Sequence, residues 1–169
     1  FQRPWGDLGE IDIGIVLGKD AKSENSAAFL QLRTNHSGTD YHLAIMEFAE
    51  QKLFGLGLQT AIWDLGFWLE AAYVNGDENY LRLSTGVDYS FSERTFVQIE
   101  YHYNGAGSND HNDYLSNLSA TPYQRGGVFL LGESYIMPSF TVQLSSLWFV
   151  ATQVIYNLDD NSAFLSVSA

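Results

Sequence analysis

The chain has 169 residues, with 20 acidic and 8 basic side chains for a net charge of −12, and it contains no cysteine. This balance argues against a nucleic-acid partner, whose phosphates need a basic surface. The lack of cysteine excludes disulfides, thiolate metal sites and thiol nucleophiles. Charged residues make up only 17% of the chain, against roughly 25% in soluble domains. No run reaches the roughly 18 apolar residues of a membrane helix, but membrane strands need only alternate residues to be apolar.

The dominant pattern is an alternation of apolar and polar residues, which predicts strands because successive strand side chains point to opposite faces. Residues 1–7 are predicted to be irregular, because Pro4 and Gly6 interrupt the pattern. The strands that follow are predicted over residues 8–18, 26–35, 40–49, 53–62, 67–75, 80–91, 96–104, 126–137 and 147–158, with a tenth starting at 163.

Three places depart from simple alternation. In the third predicted strand Glu47 falls on the apolar face, so a bulge near Met46 and Glu47 is expected to restore the phase. Pro138 is expected to end the eighth strand, because proline cannot donate to a ladder. Residues 105–125 form the longest polar stretch, several times longer than an ordinary hairpin loop, and a short helix is predicted within it at 113–118.

The clearest strand pair spans residues 80–104. Leu83 and Val87 alternate there with Arg82 and other polar residues, and the short polar connection 92–95 predicts an antiparallel hairpin. Each run has about ten residues, the length that crosses a bilayer as a tilted strand. Aromatic residues such as Tyr89 and Tyr101 lie toward the strand ends, as in the interfacial girdles of membrane barrels.

The predicted loops alternate in character along the chain. Those at 19–25, 50–52, 75–79, 105–125 and 159–162 are acidic or long, whereas most of the others are short turns. Outer-membrane barrels have short periplasmic turns and long outer loops, so we expect these five loops to face the exterior. A soluble sandwich has no reason to sort its loops in this way.

We therefore predict an all-β fold, an antiparallel up-and-down transmembrane β-barrel with about ten strands in one domain over residues 1–169. A soluble barrel or sandwich also alternates, with its apolar face inward. The membrane barrel is favoured by strands of about ten residues, against a usual five or six. It is also favoured because the lysines of the chain, Lys19, Lys22 and Lys52, all lie in predicted loops.

The phrases that run through most of the chain resemble a family of bacterial outer-membrane, porin-like β-barrel proteins. They are DLGEIDIGIVLGKDAKSENSAAFL, GFWLEAAYV, YLRLSTGVDYSFSE, EYHYNGAG and RGGVFLLGESY. The resemblance implies an outer-membrane location and contact with membrane lipid and lipopolysaccharide. Family members have more strands and end on an aromatic residue, whereas this sequence stops at Ser168 and Ala169. We therefore expect the chain to be part of a larger barrel.

Alternation assigns the strand residues to two faces. The residues expected to line an interior are polar, and they are Asp12, Arg33, Glu70, Arg82, Asp88, Gln98, Glu100, His102, Glu133 and Gln153. The residues expected to face lipid are apolar or aromatic, and they are Ile13, Ile15, Leu83, Val87, Tyr89, Ile99, Tyr101, Val150 and Tyr156.

Chemistry-bearing motifs are sparse. Glu100 and His102 share one strand face, which suits an acidic, cation-favouring lumen, an acid/base pair or ordinary hydrated residues. The oxygen-rich stretch 108–113 suits a solvated loop or a weak divalent site, although it lacks EF-hand spacing. The four histidines form no metal motif, and the serines form no nucleophile elbow. We therefore predict neither an enzyme nor a cofactor or metal.

Three functions agree with this pattern. The favoured one is a porin-like barrel that gives passive passage to small polar solutes or ions, favouring cations. A closed barrel of ten strands would be largely filled by side chains, so an aqueous channel requires more strands. The alternative is a structural sheath or docking barrel that encloses a partner protein such as an electron-transfer cytochrome. Small residues would let that partner approach closely, namely Gly14, Gly18, Gly55, Gly57 and Gly86. The third function is a soluble β-barrel that binds an apolar ligand.

Overall fold

A computed structural model describes residues 1–48 and 50–169. The described chain forms one sheet of eleven strands whose spatial order is the order of the sequence. The strands are β1 (Gln2–Trp5), β2 (Gly9–Val16), β3 (Ala27–His36), β4 (Thr39–Phe48), β5 (Gln51–Ile62), β6 (Leu65–Asn75), β7 (Tyr80–Ser92), β8 (Thr95–Asn104), β9 (Ser134–Gln143), β10 (Phe149–Asn157) and β11 (Ala163–Ser168).

Every strand pairs antiparallel with its neighbours in sequence, from β1 through to β11. The predicted all-β, antiparallel up-and-down arrangement is therefore confirmed. The described strands number eleven rather than about ten, and β1 and β11 are the two edges of an open sheet. The sheet is not closed into a barrel.

The prediction of an irregular start to the chain is wrong. Residues Gln2–Trp5 form β1 and pair with β2, with Pro4 opposite Glu10. Proline is tolerated on an edge strand because such a strand has a partner on one side only. Alternation could not reveal a strand of four residues interrupted by proline.

The predicted bulge near Met46 and Glu47 is also wrong. The strand β4 keeps a continuous register with both β3 and β5, and Glu47 faces Lys52 across the end of the sheet. An opposite charge directly across a strand pair offsets the placement of a carboxylate on the apolar face. The register shift lies elsewhere, between Ser90 and Ser92 of β7.

Pro138 does not end a strand. The strand β9 runs through it, with Pro138 opposite Ile99 on one side. On the other side the pairing with β10 passes from Gln153↔Ser139 directly to Tyr156↔Ile136. The missing N–H thus interrupts one ladder locally and leaves the strand intact. The predicted strand 126–137 is correspondingly wrong in its first part, because β9 begins at Ser134.

The helical content is small. The predicted helix at 113–118 is confirmed as α1 (Tyr114–Asn117), which follows a 3₁₀ turn at His111–Asp113. A second helix, α2 (Thr121–Gln124), was not predicted and has a proline in its first turn. Two further 3₁₀ turns, Lys19–Ala21 and Ser23–Asn25, lie between β2 and β3. None of the described helices has the length and apolar content needed to span a membrane.

The connections differ between the two ends of the sheet. At one end they are residues 6–8, 37–38, 63–64, 93–94 and 144–148, all short. The opposite end carries the connections 17–26, 76–79, 105–133 and 158–162, of which 17–26 and 105–133 are by far the longest. One predicted loop at that end, 50–52, is wrong, because β5 begins at Gln51 directly opposite Phe48 of β4.

The sheet curls toward one of its two faces. Leu8, just before β2, and Gln98, on β8, line the same cavity. In a flat sheet β2 and β8 would stand about 29 Å apart, six strand spacings of roughly 4.8 Å. The face that carries this cavity, with Arg33 and Glu70, is therefore the inner one, and we call it the polar face. The opposite one, with Ile45 and Ile99, we call the apolar face.

Candidate functional site

The polar face is built from side chains in cross-strand register. One row runs Glu10, Arg33, His42, Gly57, Glu70, Ser84, His102, Tyr135 and Asn157, each directly opposite the next. Because facing residues of an antiparallel pair point to the same side, this row places charged and titratable groups side by side across the curl. The candidate functional site consists of this row and the neighbouring rows of polar side chains on the same face.

One cavity on the polar face has a volume of about 590 Å³. Its wall includes Asp40, Glu70 and Asp88, together with Arg33 and the indole of Trp68. The Arg33 guanidinium donates a 3.0 Å hydrogen bond to Gln31 and lies 4.0 Å from a Glu10 carboxylate oxygen. Its charge is thus partly matched outside the cavity, which leaves the wall with an excess of carboxylates.

A second cavity of about 230 Å³ adjoins the first and shares His42, Gly57 and Glu70 with it. Its wall adds Arg82, Ser84 and His102. The Ser84 hydroxyl and the His102 Nδ1 atom lie 2.8 Å apart in a hydrogen bond. This contact holds the imidazole beside Arg82, so the second cavity adds a guanidinium and an imidazole to the Glu70 carboxylate that it shares with the first.

Residues 105–133, which we call the inserted segment, fold back over the polar face. Arg82 Nη1 donates a 2.8 Å hydrogen bond to the Gly127 carbonyl, and Asn104 Nδ2 donates one of 2.7 Å to the Leu130 carbonyl. Val128 packs against the buried Val74 and Tyr80. The segment therefore docks by an apolar contact flanked by hydrogen bonds from strand residues.

Residues in the middle of the inserted segment are held as well. Asn157 of β10 donates a 2.8 Å hydrogen bond to the Tyr114 hydroxyl of α1. The Tyr123 hydroxyl donates to the Leu130 carbonyl at 3.0 Å, and burial raises the pKa of this phenol. The phenol therefore stays protonated and able to donate at neutral pH, and the segment has a defined path.

Nine of the ten residues predicted to line an interior do share the polar face. They are Asp12, Arg33, Glu70, Arg82, Asp88, Gln98, Glu100, His102 and Gln153. Glu133 does not. It lies in the inserted segment just before β9 and accepts a 2.8 Å hydrogen bond from Tyr103, a residue of the apolar face. The predicted strand 126–137 had placed Glu133 in a ladder that does not exist there.

The nine residues predicted to face lipid all lie on the apolar face. They are Ile13, Ile15, Leu83, Val87, Tyr89, Ile99, Tyr101, Val150 and Tyr156. The side chains of Ile15 and Ile99 are 72% and 47% exposed. The buried apolar residues of the described chain, Val74, Tyr80, Pro122, Val128 and Tyr135, lie on the polar face or in the inserted segment, so the apolar face forms no dry core.

The small residues expected to leave room inside serve two different purposes. Phe29 fills the space over Gly14, and Trp68 fills the space over Gly86, because a Cβ at either glycine would meet their ring carbons. A Cβ at Gly18 would meet the Asn25 backbone. Gly55 opens onto the second cavity, and Gly57 opens onto both. Most of the expected room is therefore occupied by the chain itself.

The geometry limits what chemistry the polar face can perform. Ser84 of β7 lies between Glu70 of β6 and His102 of β8 in the same row. The Glu70 carboxylate therefore cannot orient the His102 imidazole in a relay. Among the described residues no group of three His, Asp or Glu side chains is arranged to hold a metal ion. Asp110, in the predicted oxygen-rich loop, accepts hydrogen bonds from the Asn112 backbone and side chain at 2.9 and 2.7 Å.

Sequence reasoning did not select three residues that matter here. Trp68, His42 and Asn104 each fall on the polar side of the alternation, which was the signal that could have found them. Trp68 is hard to select because an aromatic residue suggests the apolar face. Asn104 is hard to select because its partner carbonyl, Leu130, is 26 residues away.

Comparison of the chain with protein-family models, with curated proteins and with solved structures finds no match.

Proposed function

We propose that this sheet forms part of the wall of a bacterial outer-membrane β-barrel through which small polar solutes or ions pass passively. In this proposal the apolar face contacts lipid and lipopolysaccharide, and the polar face lines the passage. Further strands complete the wall between β1 and β11, whose edges are unpaired in the described chain. The inserted segment narrows the passage from its longer-loop end.

The observation that carries this proposal is the exposure of the apolar face. Leu43 and Ile45 of β4, together with Phe54 and Leu56 of the neighbouring β5, are each 49–54% exposed. Exposed apolar patches of this extent are rare on soluble monomers and mark surfaces that meet lipid or protein. The polar inner face supports the same proposal, because a soluble barrel that binds an apolar ligand would carry its apolar residues inside.

A sheath around a partner protein is a less favoured second function. It requires free space on the inner face, but Phe29, Trp68 and the inserted segment already occupy part of that space. The two cavities, of about 590 and 230 Å³, match small solutes rather than a folded protein domain.

The test is conductance of the full-length protein reconstituted in a planar lipid bilayer. We expect discrete channels whose reversal potential in a salt gradient favours cations, because Glu70 and Asp88 line the larger cavity. The double variant Glu70→Gln/Asp88→Asn should lower this preference at least about twofold, since rings of carboxylates set cation selectivity. Asp77→Asn, in the turn between β6 and β7, is the matched control and should change nothing.

Absence of channels from correctly inserted protein would refute the passage. Channels whose ion preference is unaffected by the double variant would retain the passage but move its selective region away from these two carboxylates.

A further inference from the structure

The two adjoining cavities differ in the charged groups of their walls, although Arg33 also lines the larger one. The larger one has Asp40 and Asp88 in its wall, and the smaller one has Arg82 and His102. Glu70 and His42 belong to both walls and lie where the cavities meet. A simple inorganic ion could use only one of these ends. A solute that carries both charges could use both.

The cross-strand register sets the distance between the two ends. Asp40, Gln59, Trp68 and Gly86 form one row across four strands. Arg82 lies four residues from Gly86 along β7, so the row of Trp68 and Arg82 are about 13 Å apart along the strands at roughly 3.3 Å per residue, whereas Asp88, six residues from Arg82, is about 20 Å away. After allowance for side-chain reach, a solute that places its positive group at Trp68 and its negative group at Arg82 carries the two groups about 10 Å apart, the span of roughly three extended residues.

The acidic end offers two kinds of contact to an ammonium group. Asp40 and Asp88 supply carboxylates, and Trp68 supplies an aromatic face, a combination that attracts cations. The indole is held in place because its ring carbons fill the space above Gly86. The Asp88 carboxylate lies over Gly66, where a Cβ would meet its oxygens. Both groups are therefore positioned before any solute arrives.

The basic end suits a carboxylate. Arg82 uses one N–H on the Gly127 carbonyl and retains others of its five for a bidentate contact. His102 is oriented next to it by the hydrogen bond to Ser84. Between the two ends, Gly57 leaves open volume at the bottom of the cavities. A Cβ atom added there would lie 3.4 Å from His42 Cβ and 3.8 Å from Glu70 Cγ.

We propose that the two cavities together bind a short zwitterionic peptide of about three residues. Its amino terminus lies at Asp40, Asp88 and Trp68, and its carboxylate lies at Arg82 and His102. This inference rests on the proposed passage, since it names the class of solute for which the polar face is built.

The test is a calorimetric or NMR titration of the full-length protein in detergent with trialanine, N-acetyl-trialanine and trialanine amide. We expect trialanine to bind on the order of tenfold more tightly than either blocked peptide, because each blocked peptide lacks the charge that one end of the site would bind. Equal affinities for the three peptides would overturn the proposal.

Variants assign the two ends. Arg82→Gln should remove the discrimination against trialanine amide and preserve that against N-acetyl-trialanine, and Asp40→Asn/Asp88→Asn should do the reverse. Arg82→Lys keeps the positive charge and should restore part of the discrimination, which separates charge from the hydrogen bond to Gly127. Asp77→Asn is the control outside the cavities. Loss of both discriminations in either variant would show that the ends are not separate and would overturn the assignment.

Binding and passage can fail independently. Channels in bilayers together with equal affinities for the three peptides would leave the passage standing and refute the peptide site. End-group discrimination in detergent without channels would support the site and refute the passage.

Discussion

At the scale of single residues, the polar face is shaped by glycines that lie under aromatic rings. Trp68 covers Gly86 and Phe29 covers Gly14, so each ring lies close to the backbone of the neighbouring strand. Glycine is required there because any side chain would occupy the volume of the ring. These contacts hold the rings on the inner side of the curled sheet.

Gly86→Ala should therefore be destabilising. Its Cβ would overlap a Trp68 ring carbon and stand 2.6 Å from the Ile99 carbonyl oxygen, and the backbone atom cannot rotate away. We expect a loss of about 1–3 kcal/mol in the free energy of unfolding, measured by urea denaturation in detergent. The matched control is Gly55→Ala, whose Cβ would approach nothing closer than 3.4 Å. Equal stability of the two variants would contradict the packing.

Two loop carboxylates have a pH dependence that follows from their hydrogen bonds. The backbone and side chain of Asn112 lower the pKa of Asp110, and the side chain and backbone of Ser162 lower that of Asp160. Because the pKa of each carboxyl is lowered in the folded state, the ionised carboxylate stabilises its turn at pH values above the ordinary pKa of 3.8. This stabilisation is lost as the pH falls through the lower pKa of the folded state.

This dependence is measurable in the NMR signal of the Asn112 amide. We expect it to keep its position as the pH falls to the ordinary aspartate value and to shift only below it. In Asp110→Asn the acid-induced shift should disappear. A shift with its midpoint above the ordinary value would contradict the lowered pKa.

At the scale of elements, the inserted segment is the part whose position depends on contacts distant in sequence. Asn104, at the end of β8, is fully buried and donates to the Leu130 carbonyl at 2.7 Å. Its side-chain oxygen also accepts from the Ala106 N–H. A single asparagine thus joins the strand to both ends of the segment.

Asn104→Ala should loosen the segment without unfolding the sheet. Removal of the side chain leaves the Ala106 N–H without this acceptor and the Leu130 carbonyl with the Tyr123 hydroxyl as its remaining side-chain donor, at a cost of about 1–3 kcal/mol. We expect faster hydrogen exchange over 126–133, with β5 and β6 unchanged, and larger single-channel conductance. The control is Asn112→Ala, at an exposed residue of the same segment. Unchanged exchange in Asn104→Ala would mean that the packing of Val128 and the hydrogen bonds from Arg82 and Asn157 hold the segment without Asn104.

At the scale of the whole molecule, the central question is which face of the sheet meets lipid. Adjacent residues in the middle of β8 provide a direct comparison, because Ile99 lies on the apolar face and Gln98 lines the larger cavity. A charge on the lipid side is costly in a depth-dependent way, whereas one on the inner side is hydrated.

Ile99→Lys should lower stability in lipid by about 2–4 kcal/mol, the cost of lysine near the bilayer midplane. Gln98→Lys should change it by less than about 0.5 kcal/mol, as for a surface substitution. The measurement is reversible denaturation in phospholipid vesicles. If Gln98→Lys were the more damaging variant, the assignment of the two faces would be reversed.

Much of the fold was predictable because strand alternation is a local property. Leu83 and Val87 on one face, and Arg82 and Asp88 on the other, could be assigned by counting residues in twos. The errors in the predicted strands arose where a break was inferred from the chemistry of one residue without knowledge of the residue opposite it on the neighbouring strand. Glu47 needs no bulge because Lys52 lies directly opposite it. Pro138 stays within β9 because its missing N–H interrupts only the pairing with β10.

The sequence by itself determined the antiparallel hairpin order, the composition of the two faces and the contrast in connections, because each depends on residues close together along the chain. Only the tertiary structure decided the open curl of eleven strands, the docking of residues 105–133 on Arg82 and Asn104, and the two adjoining cavities that place Asp40 and Asp88 at one end and Arg82 at the other. These features join residues of distant strands. No period in the sequence records such contacts, because they depend on how far the sheet curls and on which carbonyls remain to be satisfied.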